Sequence, residues 1–379
     1  MKIHRDLFDL LQDYVSLTPA RLIKFPSHVP FPEINSGLVH HILLNPVFQT
    51  YPPSKQYQRS FWKFTISHLE ILLLHENGDD QEIDSRILDH YLSIFPSPAP
   101  VPGTSLGLAT LRDQLCDRGL PLGETPSKSF VTHFWEPCLS NENSDMVELD
   151  NYQSFTLEES RTMIESGTTG LRTWFTSNVL AGHLIRNPSI VQGKRVLELG
   201  SGVGFLGTII ASLQQLKKPT SSSIWLTDVN QEVLTQCQHL SSGNQDVHFQ
   251  LLDWDEALKP DVKVLEELLQ HINPDVIICA DVIFDPAVVP SLVALLVLAL
   301  KSGSRNSQTC ALISQTVRNT KTFQGFLDCA QDHRLLLQDV EIPSSSNPRY
   351  FVDPVEAGLT DADVRTLDIT LDESNSVLN

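Results

Sequence analysis

Paired cysteines are missing from this sequence. Its six, Cys116, Cys138, Cys237, Cys279, Cys310 and Cys329, are scattered through 379 residues without a C-x-x-C. That spacing argues against a disulfide scaffold and against a thiolate metal framework, and it reads as reduced, mostly buried thiols in a reducing compartment. The thirteen histidines form no H-x-x-x-H and no metal-like cluster with cysteine, so no metal is expected. Long hydrophobic runs are lacking as well. The longest, "VVPSLVALLVLAL" over 288–300, is short for a bilayer and contains Pro290, which fits a buried helix over a sheet. The opening "MKIHRDLFDLLQDYVSL" carries acids within its apolar pattern and has no uninterrupted signal-peptide core. A cytosolic chain without membrane contact is expected. Positive charge is scarce: 27 Lys and Arg against 46 Asp and Glu give a net charge of −19. This argues against nucleic acid or an anionic membrane as partner and leaves room for a basic protein substrate.

Three regions are expected. Residues 1–95 read as helical, since "LFDLLQDYVSL", "GLVHHILLNPVF" and "FWKFTISHLEILLLHENG" space apolar residues along one helix face and no strand-like alternation competes. Residues 96–165 begin with a proline-rich linker, "FPSPAPVPGTSLG", followed by a short helical piece. They end in two strand candidates, "SKSFVTHFWEP" and "MVELDNYQSFTLEE", flanking a polar turn. From 166 to 379 the rhythm turns to strand, loop, helix, repeated, with strands such as "VIICA" apolar on consecutive positions. That pattern predicts an α/β fold: a doubly wound, mainly parallel sheet covered on both faces, with the last two strands able to pair as an antiparallel hairpin.

The chemistry is concentrated at the ends of those strands. "RVLELGSGVGFLG" places Gly200, Gly202, Gly204 and Gly207 between a strand and a helix, a loop shaped for close backbone approach to a ligand. Both G-x-G-x-x-G and G-x-G-x-G registers fit, the second with Glu198 two residues ahead. Asp228 ends the next strand, where a carboxylate can accept the hydrogens of both ribose hydroxyls. Asp253 and Trp254 end the third, an acid for an adenine amino group and a flat apolar face for its ring, or else a helix cap and a core tryptophan. Asp281 and Phe284 follow the fourth strand in a D-x-x-F spacing, at the rim where open α/β sheets bind their ligands. Together these tips favour S-adenosylmethionine over a nicotinamide cofactor. His183 reads as a surface or satisfied core residue.

With "TTGLRTW" ahead of the sheet, "VLELGSGVG", "LDW" and "ADVIF", the chain resembles the seven-β-strand methyltransferases, in particular the protein-lysine branch with a D-x-x-[YF] motif after the fourth strand. "SGTTGLRTW" and "TVRN" at 316–319 are most similar to the lysine methyltransferases of elongation factor 2, and "YPPSKQYQRSFWKF" at 51–64 more loosely so. The resemblance implies Trp174, Gly200, Ser201, Gly202, Asp228, Trp254 and Ala280 as cofactor contacts, with Asp281 and Phe284 in the D-x-x-[YF] places. Phe284 keeps the aromatic wall but lacks the hydroxyl of a tyrosine. The implied cofactor is S-adenosylmethionine and the implied partner a protein, elongation factor 2, with the helical region 1–95 as a candidate for substrate recognition. Methylation of another protein's lysine and a catalytically silent cofactor-binding scaffold remain as alternatives.

Overall fold

In the computed structural model the residues described are 2–75, 81–95, 128–137, 144–165, 167–216, 222–240, 246–303, 308–342, 351 and 363–372. The proline-rich linker, the short helical piece after it, Cys116 and Cys138 lie outside them. The chain divides into two units: 1–131, 144–149 and 160–162 in one, and 132–143, 150–159 and 163–379 in the other.

The first unit is mainly helical: α1 (Arg5–Val15), α2 (Phe31–Gly37), α3 (Pro46–Thr50), α4 (Lys55–His75) and α5 (Ser85–Ser93). Heptad-like spacing buries Leu7, Leu10, Leu11 and Tyr14 of α1. The Tyr14 ring meets Phe61 of α4 at 4.6 Å between centroids, and Phe61 meets Trp62 edge-on at 5.3 Å. The expectation that nothing here is strand is corrected. Lys2–His4 is a strand, β1, paired antiparallel with β3 (Met146–Glu148). Three residues are too few for an alternation to register, and their partner lies some 140 positions away. The second strand candidate of the expected hairpin therefore divides. Its start pairs with β1, a short 3₁₀ turn over Leu149–Asn151 interrupts it, and its remainder is β4 (Gln153–Ser160), which pairs with β2 (Lys128–Trp135).

The second unit is built on a seven-stranded sheet in the order β10-β11-β9-β8-β5-β6-β7. The strands are β5 (Arg195–Leu199), β6 (Ser223–Asp228), β7 (Val247–Leu251), β8 (Val276–Ala280), β9 (Cys310–Thr316), β10 (Leu335–Asp339) and β11 (Val364–Leu371). β5, β6, β7, β8 and β9 run parallel, while β11 is antiparallel to both β9 and β10. Between them lie α6 (Phe175–Arg186), which precedes β5, then α7 (Phe205–Gln215), α8 (Gln231–Leu240), α9 (Lys263–Ile272), α10 (Val289–Ser302) and α11 (Thr320–Asp332). Strand pleating sends Val196 and Ile278 to one face, against Leu180 of α6 and Ile209 of α7. It sends Leu197 and Ile277 to the other, against Leu265, Leu292 and Phe326 of α9, α10 and α11. Both faces are dry, which is why the central strands carry no polar alternation. The apolar run at 288–300 is the buried helix α10, with Pro290 in its first turn, where a missing N–H costs nothing. Among the described residues no helix is long and apolar enough to cross a membrane. The four cysteines they include are free thiols, Cys237 and Cys279 fully buried.

Candidate functional site

Parallel strands deliver their carboxyl ends to one edge of the sheet, and the loops that follow them enclose a cavity of about 410 Å³ there. Eleven residues singled out from the sequence line it, Trp174, Glu198, Gly200, Ser201, Gly202, Asp228, Asp253, Trp254, Ala280, Asp281 and Phe284, while Gly204 and Gly207 of the same loop do not.

The floor is the loop after β5. Gly202 has φ +53°, and a Cβ there would stand 2.9 Å from the Gly170 carbonyl oxygen, so only glycine lets this loop pass the segment ahead of α6. Gly204, at φ +84°, opens α7, and a Cβ there would run into the Cys237 sulfur. Ser201 braces the loop to β6: its N–H donates to the Thr227 carbonyl at 2.8 Å and its Oγ accepts the Thr227 N–H at 2.9 Å. Asp228 closes the same corner, accepting the Gly202 N–H at 3.2 Å and the Asn230 N–H at 2.9 Å. Burial raises the Asp228 carboxyl above its ordinary range, and those N–H groups pull the other way. Beside it, Glu198 is buried with an Oε2 that has no hydrogen-bond partner. Burial first, and the Asp228 charge second, push Glu198 up to about 8.

The walls come from other strand tips. Trp254 opens a 3₁₀ turn after β7, its ring 3.5 Å from where a Gly200 Cβ would be. Asp253 caps that turn by accepting the Asp255 N–H at 3.0 Å, while remaining exposed at the cavity. Trp174 stands at the start of α6, its Nε1 donating to the Thr169 carbonyl at 3.1 Å. The guanidinium groups of Arg172 and Arg318 lie 4.7 and 5.2 Å from its ring centroid. The segment bearing Trp174 is held from behind: Glu159 accepts the Thr173 N–H at 3.1 Å and its hydroxyl at 2.8 Å, and faces His133 at 3.3 Å. Phe284 stands at the mouth, 57 % exposed.

Asp281 follows β8 with φ +58°, in the left-handed region where aspartate is among the few tolerated side chains. Its carboxylate accepts from Gln315 Nε2 at 2.7 Å and from Arg318 at 2.9 and 2.7 Å on its two oxygens. Gln315 in turn accepts the Ile283 N–H at 2.8 Å. The sequence reading passed over Gln315 and Arg172. A glutamine buried within the apolar strand "CALISQT" was the available sign for the first, and Arg172 stands inside the quoted "TTGLRTW". Among the described residues one group outside the cavity has metal-ligand character, His4, Asp6 and His28 in the helical unit, where His4 Nδ1 already accepts the Asp6 N–H.

The lysine methyltransferase family model matches residues 154–329. The chain is 35% identical over 184 residues to protein-lysine N-methyltransferase EFM3 of Chaetomium thermophilum, covering 45% of this chain and 50% of that protein. It is 34% identical over 189 residues to protein-lysine N-methyltransferase EEF2KMT of Homo sapiens, covering 46% of this chain and 53% of that one. The chain thus spans about half the length of the curated relatives it matches. The cavity-lining residues and the motif places all fall within residues 154–329, the part of the chain that is similar to the lysine methyltransferase family.

Proposed function

We propose that this chain is an S-adenosylmethionine-dependent protein-lysine N-methyltransferase and that its substrate is elongation factor 2. The observation that carries the reading is the meeting of Asp228, Trp254, the glycine loop and the Asp281–Phe284 rim in one cavity. The donor set fits the cofactor. Asp228 can take the ribose hydroxyl hydrogens, and Trp254 offers a face and Asp253 an acceptor to the adenine. The unpartnered Glu198 oxygen and the open glycine loop leave room for a polar, cationic group. Trp174 and Ala280 complete the walls.

When bound, S-adenosylmethionine supplies a methyl on a sulfonium that leaves as a neutral thioether while the lysine nitrogen forms the new N–C bond. The amine must be neutral to attack. At a pKa near 10.4 only about one lysine in a thousand is so at pH 7, a cost of roughly 4 kcal/mol. Phe284 and Trp174 strip water from the entering side chain, which lowers that cost. Phe284 also provides a π face for methylated ammonium forms, worth about 0.5–2 kcal/mol. Asp281 shapes the rim and orients the amine. Elongation factor 2 as substrate is supported by "SGTTGLRTW" and "TVRN", and the helical region 1–95 is assigned to recognising it.

Intact-mass measurement of purified elongation factor 2 after incubation with enzyme and cofactor tests the reading. Added mass in steps of one methyl, lost when the cofactor is omitted, is the expected result. Unchanged mass together with labelling of a different protein in a lysate replaces the substrate. No labelling and no calorimetric heat with S-adenosylmethionine overturns the function.

A further inference from the structure

We propose that Arg318 is a positioning residue for methyl transfer: by holding Asp281 as a neutralised ion pair, it lets that acid orient the lysine amine without trapping it as an ammonium. The inference rests on the lysine-methyltransferase reading of the same cavity. It begins from a conflict within that reading. An unpaired carboxylate at the rim would stabilise the charged form of an approaching lysine, raising its pKa and depleting the neutral amine that attacks.

The structure contains a device that removes the conflict. Asp281 is held in a left-handed backbone conformation with only 4 % of its side chain exposed. Oδ1 accepts from Gln315 at 2.7 Å and from Arg318 at 2.9 Å, with the Thr316 N–H at 3.4 Å; Oδ2 accepts from Arg318 at 2.7 Å. The guanidinium is also fixed from its other side by the Trp174 ring at 5.2 Å. Arg318 thus bridges a residue at the reacting end of the cavity and one of its aromatic walls. A side chain of permanent charge is suited to this, because it stays positive at every pH at which a lysine could be deprotonated.

Other charged and titratable groups line the same cavity or its rim. Arg172 shares the Trp174 ring, Glu198 and Asp228 lie at the tips of β5 and β6, and Asp253 and Asp255 follow β7. Asp285 caps its own loop, and Asp363 accepts the Val317 N–H through its carbonyl. Glu198 aside, which burial keeps protonated at neutral pH, the lining carries more acids than bases, so loss of Arg318 leaves the rim negative.

The test is the pH profile of kcat on elongation factor 2 for the full chain, with three variants. Arg318→Gln is expected to move the alkaline midpoint up by about one unit or more, with a loss of roughly tenfold in kcat at neutral pH and no rise in KM. Asp281→Asn leaves the guanidinium unbalanced and is expected to move the midpoint the opposite way. The double variant returns it towards the wild-type position. S-adenosylhomocysteine affinity, measured by calorimetry, should stay unchanged in Arg318→Gln. A wild-type midpoint in both single variants, or a rise in KM alone, overturns the inference while leaving the methyltransferase reading intact. A wild-type chain that methylates no lysine removes both.

Discussion

Glu198 is where a single side chain has the clearest thermodynamic signature. Its carboxyl sits at about 8 in the fold, against 4.5 when free, because it is buried beside Asp228. Between those values the native state holds a proton that the unfolded chain has released. Stability is therefore fully present below pH 4.5 and falls as pH rises through 8. Glu198→Gln keeps the shape of the neutral acid and cannot ionise. Thermal denaturation from pH 5.5 to pH 8.5 should show the wild-type midpoint falling more steeply than that of Glu198→Gln; parallel slopes would mean that Glu198 is ionised in the native state. Residues of this kind were readable without coordinates because each sits at a strand tip, next to a local signal: a glycine run, an "LTD", a "LDW", an "ADVIF". The contacts of Gln315 and Arg318 with Asp281 were harder. The pairing of β8 with β9 brings them to Asp281 from 34 and 37 positions away, and no local pattern encodes that register.

At the scale of elements, the cavity depends on how the stretch between β4 and α6 is anchored. Glu159, at the end of β4, is buried and accepts from His133 and twice from Thr173, which immediately precedes Trp174. Burial alone would raise its carboxyl, but the His133 contact and the Thr173 donors outweigh it and hold the group below its ordinary value. Its contribution is thus present above pH 4.5 and is lost as pH falls. Removing the acid orphans three donors at once. Glu159→Ala should cost about 3–5 kcal/mol in urea denaturation, and Glu159→Gln less, since one acceptor remains. In the glutamine variant Trp174 fluorescence should also respond less to cofactor than in the wild type; full retention would separate this anchor from the site. The doubly wound fold was legible in sequence because every strand–helix alternation from 194 onward carried its own period. The β1–β3 pairing was not, because two three-residue strands contain too little alternation to stand out, and their pairing is decided by tertiary placement.

Across the whole molecule, the proposed function divides chemistry and recognition between the two units. Every residue lining the cavity lies in the second unit. The first has its own aromatic core around Tyr14, Phe61 and Trp62, and it leaves large apolar side chains in solvent on two helices: Ile71 and Leu74 on α4, Leu88 and Leu92 on α5. Leu74 and Leu92 are the most exposed of these, at 80 and 58 %. Burying one leucine contributes about 1.5–3 kcal/mol, so a protein partner that covers both gains enough to dominate its affinity, and a glutamate at either place opposes that contact. With a net charge of −19 the chain already repels acidic partners, so the added charge alters the local contact more than the long-range attraction. For the Leu74→Glu, Leu92→Glu double variant, KM for elongation factor 2 should rise at least about tenfold, the equivalent of 1.4 kcal/mol, with kcat at saturation and S-adenosylhomocysteine affinity unchanged. A KM that stays at the wild-type value would move substrate recognition off these two helices. Loss of cofactor affinity together with KM would instead tie α4 and α5 to the folding of the second unit.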